Sequence, residues 1–169
     1  MKIVAIDPGS KVAGYAVTEN GILIDAGLIK PAKQSHPAFM RIQTICNEVK
    51  GVLMLHRPID IVVLEWTTGK VGTKRHKGGG SGLAIYGIAI GAIWQTIWEW
   101  SGGGSSPKIS LIDESWTKGK PKAKRLAELE LSFKSYHRKD DKGGDMGDAI
   151  LLAQYYTTRQ LLVREELGK

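Results

Sequence analysis

The chain has 169 residues, of which 42% are hydrophobic and 24% are charged, and these are ordinary values for a globular protein with one buried core. Its 24 lysines and arginines outnumber its 17 acids, and the formal charge of +7 favours a polyanionic partner, either nucleic acid or an anionic membrane. A basic protein without such a partner is the alternative. The single cysteine, Cys46, excludes an intramolecular disulfide framework and a zinc site built from several cysteines.

Neither a signal peptide nor a membrane span is predicted. The apolar run after Met1-Lys2 is too short for a signal peptide, and the weakly charged stretch Gly78–Trp98 holds many glycines and several polar residues. We therefore expect one soluble, intracellular domain over residues 1–169.

The chain begins with three predicted strands. Asn20-Gly21 separates the second from the third and is a strong signal for a two-residue hairpin, because both residues tolerate positive φ. The chain thus opens with an antiparallel meander of Lys2–Asp7, Val12–Thr18 and Gly21–Ile29.

A helix and a buried strand come next. Apolar residues recur every three or four positions over Pro37–Leu55, which predicts an amphipathic helix that ends before Arg57-Pro58. Cys46 falls on its apolar face and is expected to pack in the core. Ile61–Leu64 is a β-branched, apolar run typical of a core strand, and Glu65 closes it.

The middle of the chain combines glycine with positive charge. Thr67–Gly82 cannot bury a face and predicts a mobile basic loop, whose cations include Lys70, Lys74, Arg75 and Lys77. Leu83–Trp100 is a predicted helix with Gly87 and Gly91 four residues apart. Each interior glycine costs a helix about 1 kcal/mol relative to alanine, so we expect close packing there against another helix or a second subunit.

The last third is predicted as a strand, two helices and a polar connection. The strand is Lys108–Ile112, a helix follows within the lysine-rich Thr117–Phe133, and Tyr136–Gly144 is expected to be polar and flexible. The final helix is Asp145–Leu167, with these candidates for burial: Ile150, Leu151, Ala153, Tyr155, Leu161 and Leu162. This order predicts an α/β fold with a mixed five-stranded sheet and helices on both faces.

Four carboxylates are expected to meet at one edge of that sheet. Asp7 and Glu65 end neighbouring strands, and Asp145 and Asp148 share a face in the first turn of the last helix. The alternative for Asp7 is a turn residue. The alternatives for the helix are that Asp145 is its N-cap and that Asp148 is a first-turn acid favoured by the helix dipole. Clustered acids repel one another, and two Mg²⁺ ions about 3.5–4 Å apart would relieve that repulsion and hydrolyse a phosphodiester.

The motifs carry a family resemblance. Asp7-Pro8-Gly9 followed by Gly14, the strand-end Glu65, and Asp145-x-x-Asp148-Ala149 resemble the RuvC-type Holliday junction resolvases of the RNase H-like nuclease superfamily over nearly the whole chain. The glycine- and lysine-rich loop is similar to that of compact phage-borne members. The resemblance implies an RNase H-like fold in a homodimeric endonuclease. That enzyme depends on two Mg²⁺ ions, for which Mn²⁺ can substitute, and nicks a four-way DNA junction symmetrically to leave 5′ phosphates.

The resemblance also assigns roles to residues. Asp7, Glu65 and Asp148 would be metal ligands, and Asp145 matches a position where the family has Asp or His. One metal between Asp7 and Asp148 would activate water, and the other, nearer Glu65, would stabilise the leaving 3′ oxygen. Asp145 would complete the shell or assist proton transfer, and Lys118 or a neighbour would neutralise charge on the scissile phosphate. The implied location is the cytoplasm of a bacterial cell or a phage-infected host.

The expected DNA contacts and dimer interface follow by position. The dimer helix would be Leu83–Trp100, with Gly87 and Gly91 at the two-fold contact. Bacterial members carry an aromatic wedge three residues after the glutamate, where this chain has Thr68, so Trp66 or the basic loop would open the junction instead; core packing is the alternative for Trp66. The predicted DNA-binding residues are Trp66, Lys70, Lys74, Arg75, Lys77, Lys108, Lys118, Lys120, Lys122 and Lys124.

Three other functions stay open on the sequence. One is a nuclease with broader activity on branched DNA. A second is an actin-like phosphotransferase, whose phosphate loop also begins with a strand ending in Asp-x-Gly-Ser, although that fold needs two lobes. A third is a protein that binds junctions without cutting them.

Overall fold

The computed structural model describes residues 1–31, 33, 36–66, 79–103, 106–117 and 121–167. The predicted basic-loop residues Lys70, Lys74, Arg75 and Lys77, and the predicted DNA contacts Lys118 and Lys120, lie outside these ranges. The elements are β1 (Lys2–Asp7), β2 (Ala13–Glu19), β3 (Ile22–Ile29), α1 (Ala38–Leu55), β4 (Ile61–Trp66), α2 (Gly79–Trp100), β5 (Lys108–Asp113), a 3-10 turn (Glu114–Thr117), α3 (Lys122–Ser132) and α4 (Asp145–Leu167).

The five strands form one mixed sheet, as the sequence predicted, and their order in it is β3-β2-β1-β4-β5. β1, β2 and β3 are antiparallel neighbours, whereas β4 pairs parallel with both β1 and β5. The hairpin turn between β2 and β3 is confirmed, since Asn20 and Gly21 have φ values of 52° and 83°.

Side-chain alternation along the central strands buries both faces of the sheet. Val4 and Ile6 of β1 pack in a cluster with α1 and α2, while Ile3 and Ala5 pack with α4 on the other face. β4 alternates in the same way, and Cys46 of α1 packs half-buried against the first cluster. The prediction of helices on both faces is therefore confirmed.

Some element bounds were left open or were misplaced by a few residues. The helix predicted within Thr117–Phe133 is α3, which begins at Lys122, after Pro121 at its N-cap. Proline disfavours helical geometry in the residue before it, which explains a start immediately after Pro121. β4 also continues past Leu64 to Trp66, so Glu65 lies inside the strand, and α2 begins at Gly79 rather than Leu83.

Two predictions about burial were wrong. The connection Tyr136–Gly144 was expected to be polar and flexible, yet Tyr136 and Asp141 are each only 2% exposed. Leu161 and Leu162, proposed as buried, are both 55% exposed, and the buried side chains among those described in α4 lie at or before Tyr156. No helix among the residues that the structure describes combines the length and the apolar character needed to cross a membrane.

Candidate active site

The register of the parallel strands places two acids side by side. Ile6 of β1 pairs with Leu64 of β4, so the next residues along the two strands, Asp7 and Glu65, stand together at the carboxyl edge of the sheet. Alternation from Ala5 and Val63 puts both acids on the face that α4 covers. The chain thus brings two carboxylates to one point from segments far apart in sequence.

Helix α4 delivers the other two acids to the same point. Asp145 and Asp148 lie in its first turn, and its N-terminus packs directly on β2. A Cβ atom at Gly14 of β2 would be 1.9 Å from the carbonyl oxygen of Asp145, and Gly14 is the register partner of Asp7. The absence of a side chain at Gly14 therefore lets α4 approach the acidic end of β1.

All four acids line a single cleft of about 500 Å³. Its wall combines the acids with two cations from α3 and with polar groups from the 3-10 turn. The lining residues are Asp7, Pro8, Gly9, Glu65, Tyr86, Ser115, Thr117, Lys122, Arg125, Asp145 and Asp148.

The carboxylates of the cleft interact through their charge. Burial, followed by repulsion from Glu65, Asp148 and Asp145, raises the pKa of Asp7 well above its ordinary value, against the attraction of Lys122. Burial also raises the pKa of Asp145, helped by repulsion from Asp141 and Asp148 and opposed by Lys122. Among the described lining residues, four acids thus share the cleft with two cations, Lys122 and Arg125.

Two basic residues of α3 contact Asp148. Lys122 Nζ lies 2.7 Å from Asp148 Oδ2, and Arg125 Nη1 lies 3.2 Å from Oδ1. Burial lowers the pKa of Lys122, but its hydrogen bond and attraction to Asp148 outweigh burial, so that the pKa is raised. The guanidinium of Arg125 also lies over the Trp116 ring, 5.3 Å from the ring centroid, which is within the range of about 6 Å for a cation–π contact.

The donor set of this cleft fits a hard divalent cation. Carboxylate oxygens are the ligands that Mg²⁺ prefers, and Asp148 Oδ1 is buried without a hydrogen-bond partner although Arg125 is near. Among the residues that the structure describes, no three His, Cys, Asp or Glu side chains already form a group able to hold a metal ion. Metal binding at Asp7, Glu65, Asp145 and Asp148 therefore stays a prediction.

The predicted DNA contacts fall in different places. Lys122 lines the cleft, whereas Lys124 is exposed on α3 and is not among the lining residues. Lys108 is exposed at the opposite end of β5, roughly 16 Å along the strand from the cleft edge at about 3.3 Å per residue. Trp66 is half-buried at the end of β4 and pairs with Asp113.

The two glycines of the predicted dimer helix face open space within the chain. A Cβ atom at Gly87 or Gly91 would meet no atom within 4 Å. Nearby Ile88 is 61% exposed on the same helix. The close packing expected at these glycines is therefore not provided by the residues that the structure describes.

Sequence reasoning missed several residues of the cleft. Arg125 received no role, although it lies three residues after Lys122 and so shares its helical face. Tyr86 is a polar-tipped aromatic in an otherwise apolar helix, which is a weak signal. Ser115 and Thr117 had no signal, because the 3-10 turn that presents them was not predicted.

Comparison with known proteins identifies the fold. No protein-family model and no curated protein matches the chain. Among solved structures, the chain is similar to Thermus thermophilus RuvC in complex with a Holliday junction substrate, with 20% identity and a TM-score of 0.65 over 95% of this chain and 96% of that one. A second Thermus thermophilus RuvC structure has 19% identity, a TM-score of 0.65 and the same coverage.

The similarity extends to a eukaryotic protein. The yeast mitochondrial Holliday junction resolvase has 10% identity and a TM-score of 0.60 over 96% of this chain and 82% of that one. The RuvC resemblance inferred from the sequence is thus confirmed for the fold, which is the RNase H-like fold of RuvC.

Proposed function

We propose that this chain is a metal-dependent endonuclease that resolves four-way DNA junctions by paired symmetric nicks, leaving 5′ phosphates. The observation that carries the proposal is the meeting of Asp7, Glu65, Asp145 and Asp148 in one cleft beside the basic helix α3. Carboxylates hold metals and cations hold a phosphate backbone, so a nuclease needs both at one place.

The acids would hold two Mg²⁺ or Mn²⁺ ions, with Asp7 central among them. When bound, such ions supply Lewis acidity and lower the pKa of a coordinated water. Asp7 is suited to this position because the negative charges of the three other carboxylates all raise its pKa. Asp145, at the edge of the group, would complete the shell or accept a proton from the attacking water.

The basic residues would act on the DNA phosphate. Lys122 is 42% exposed and has a long side chain, so its ammonium could turn from Asp148 towards a phosphate in the cleft. Arg125 is only 12% exposed and is packed on Trp116, so it would keep Asp148 in place instead. Lys118, which the sequence placed in the phosphate role, would add a further cation from the segment that precedes α3.

Two features support a junction as the substrate. Proteins with this fold include RuvC, seen in complex with a Holliday junction substrate, and a yeast mitochondrial Holliday junction resolvase. The open face of α2 at Gly87 and Gly91 would admit the same helix of a second copy. A two-fold dimer would present two clefts to opposing strands, which is what paired nicks require.

Broader activity on branched DNA is the second candidate. It is favoured by Thr68 at the position of the bacterial aromatic wedge and by Trp66, which is half-buried in β4 rather than projecting as a free aromatic. In this case the cleft chemistry is unchanged, and only the selection of DNA shape differs.

The test is a comparison of three end-labelled DNAs, a four-way junction, a flap and a linear duplex, each with Mg²⁺ and with EDTA. We expect Mg²⁺-dependent nicks confined to the junction, at symmetric positions in opposing strands. Cutting of all three DNAs would favour the broader nuclease. No nicks in any DNA with either Mg²⁺ or Mn²⁺ would overturn the proposed enzyme.

A further inference from the structure

Asp141 is a buried acid outside the cleft. Its side chain is 2% exposed, and within the part of the chain that the structure describes no Lys, Arg or His nitrogen forms a salt bridge with it. An ionised carboxylate is costly to bury unless other donors compensate for the lost water. The contacts of Asp141 show what provides that compensation.

Both oxygens of Asp141 accept hydrogen bonds near the start of α4. Oδ2 accepts from the backbone N–H of Gly147 at 2.8 Å and from the hydroxyl of Tyr136 at 2.9 Å. Oδ1 accepts a longer bond from the backbone N–H of Met146 at 3.3 Å. A carboxylate at a helix N-terminus also interacts favourably with the helix dipole, so α4 itself stabilises the buried charge.

The two amides lie between the acids of the cleft. Met146 follows Asp145, and Gly147 precedes Asp148. The backbone N–H of Asp148 bonds to the carbonyl of Gly144, and that of Gly144 bonds to the carbonyl of Asp141. Asp141 is therefore linked through side chain and backbone to the turn that carries both acids.

Tyr136 fixes Asp141 from the other side. Its ring is 2% exposed in a cluster with Leu126 and Leu129 of α3 and Ile150 of α4. A Cβ atom at Gly147 would be 2.6 Å from the Tyr136 hydroxyl. The tyrosine, the carboxylate and the first turn of α4 thus form one close-packed unit.

We propose that Asp141, held by Tyr136, is a positioning residue that sets where Asp145 and Asp148 stand relative to Asp7 and thereby sets the metal affinity of the cleft. The inference rests on the proposed function, in which those acids bind metal. Asp141 itself lies outside the cleft lining. Replacing a residue that orients metal ligands without binding the metal itself typically lowers metal affinity or activity 10- to 100-fold.

The test uses Asp141→Asn, which preserves shape, and Tyr136→Phe, which removes only the hydroxyl. Mn²⁺ alone is titrated calorimetrically into the full chain without DNA. We expect Mn²⁺ affinity to fall at least about tenfold in Asp141→Asn and less in Tyr136→Phe, which loses one of three hydrogen bonds. Cleavage should lose kcat, while KM for the junction stays near the wild-type value.

Glu130→Gln is the matched control. Glu130 of α3 also accepts two hydrogen bonds from the following connection, from the backbone and side chain of Arg138. Glu130 lies outside the cleft lining, so Glu130→Gln should weaken the attachment of the connection between α3 and α4 without changing Mn²⁺ affinity. Thermal melts establish that each variant is folded at the temperature of the titration.

The outcomes separate this inference from the proposed function. Wild-type Mn²⁺ affinity and kcat in both Asp141→Asn and Tyr136→Phe would overturn the positioning role while leaving the nuclease intact. Equal losses in Glu130→Gln would also overturn it, since the effect would then be general loosening. If the wild-type chain cuts no DNA, the proposed function fails, and Mn²⁺ titration of the variants still decides whether Asp141 controls affinity.

Discussion

The backbone of Gly14 lies against the carbonyl oxygen of Asp145, so closely that a Cβ atom at position 14 would be 1.9 Å from it. Gly14 also faces Asp7 across the antiparallel pair of β1 and β2. Three elements therefore converge on the acidic cleft through one position without a side chain, and the arrangement of the acids depends on that contact.

Gly14→Ala should displace the start of α4. The new methyl group would overlap backbone atoms, which side-chain rotation cannot relieve, so we expect a loss of about 1–3 kcal/mol in the free energy of unfolding. Misplaced acids should slow cleavage by roughly 100-fold. Urea denaturation and single-turnover cleavage measure the two effects.

Gly51→Ala is the control for Gly14→Ala. Gly51 lies in α1, where an added Cβ meets no atom within 4 Å, so alanine should stabilise the helix by about 0.5–1 kcal/mol. If Gly14→Ala proved as stable and as active as Gly51→Ala, the contact between β2 and α4 would have no role in the site.

Asp7 should destabilise the metal-free fold at neutral pH. Its pKa is raised in the folded chain by burial and by three neighbouring acids. The folded state therefore holds the Asp7 proton more tightly than the unfolded state. The stability due to that proton is present below the unfolded pKa and is lost as pH rises through the folded pKa.

Asp7→Asn measures this loss. In EDTA the variant should melt at a higher temperature than wild type at neutral pH. The difference should shrink as pH falls through the raised pKa of folded Asp7 and should stop changing below the ordinary range of an Asp carboxyl. Thermal melts across pH provide the comparison. A difference that does not change with pH would show that burial and the neighbouring acids do not raise the pKa of Asp7 in the folded chain.

Lys122 and Lys124 should differ in cleavage although both are exposed cations of α3. Lys122 lines the cleft and Lys124 does not. With a phosphate in the cleft, Lys122→Met should slow single-turnover cleavage by roughly 100-fold, the usual cost of removing one charge-stabilising donor. Lys124→Met should weaken DNA binding slightly and leave the cleavage rate at saturating DNA unchanged.

Equal rates in the two lysine variants would contradict the assigned role. Such a result would mean that α3 contributes only general electrostatic attraction to the DNA backbone. That attraction weakens steeply as the salt concentration rises. Repeating the assay at two salt concentrations separates these effects, because the rate defect of Lys122→Met should persist when DNA is saturating.

Gly91→Leu should separate the proposed dimer into folded monomers. A Cβ atom at this position meets no described atom within 4 Å, so we expect the fold to be unaffected, but a second α2 could no longer approach closely. Analytical ultracentrifugation should show half the wild-type mass for Gly91→Leu and the full mass for Gly51→Leu in α1. A wild-type monomer, or an unchanged mass for Gly91→Leu, would exclude this interface.

The sequence predicted those features that depend on local pattern. The bounds of β1 and α4 are as predicted. Both have strong local signals: β1 is an apolar run that ends at Asp7, and α4 begins at Asp145, directly after two glycines. The meeting of Asp7 and Glu65 followed from their place on neighbouring parallel strands, which share a carboxyl edge. Asp145 and Asp148 were predicted together because their spacing places them on one face of the first turn of α4.

Features that depend on tertiary contacts were missed. The burial of Asp141 depends on the packing of its partner Tyr136 between α3 and α4, which the polar composition of the connection does not show. The exposure of Leu161 and Leu162 has the same kind of cause, since apolar spacing does not reveal how far the sheet extends beneath α4. Arg125 was overlooked among lysines that precede it in sequence.

The most direct test of the account compares wild type with Asp7→Asn on one end-labelled four-way junction in Mg²⁺. We expect wild type to nick two opposing strands symmetrically, and we expect Asp7→Asn to bind the same junction with unchanged affinity and to leave it intact. Cleavage by Asp7→Asn at the wild-type rate would contradict the proposed role of the carboxylates. Loss of junction binding together with cleavage would show that Asp7 supports the structure rather than the chemistry.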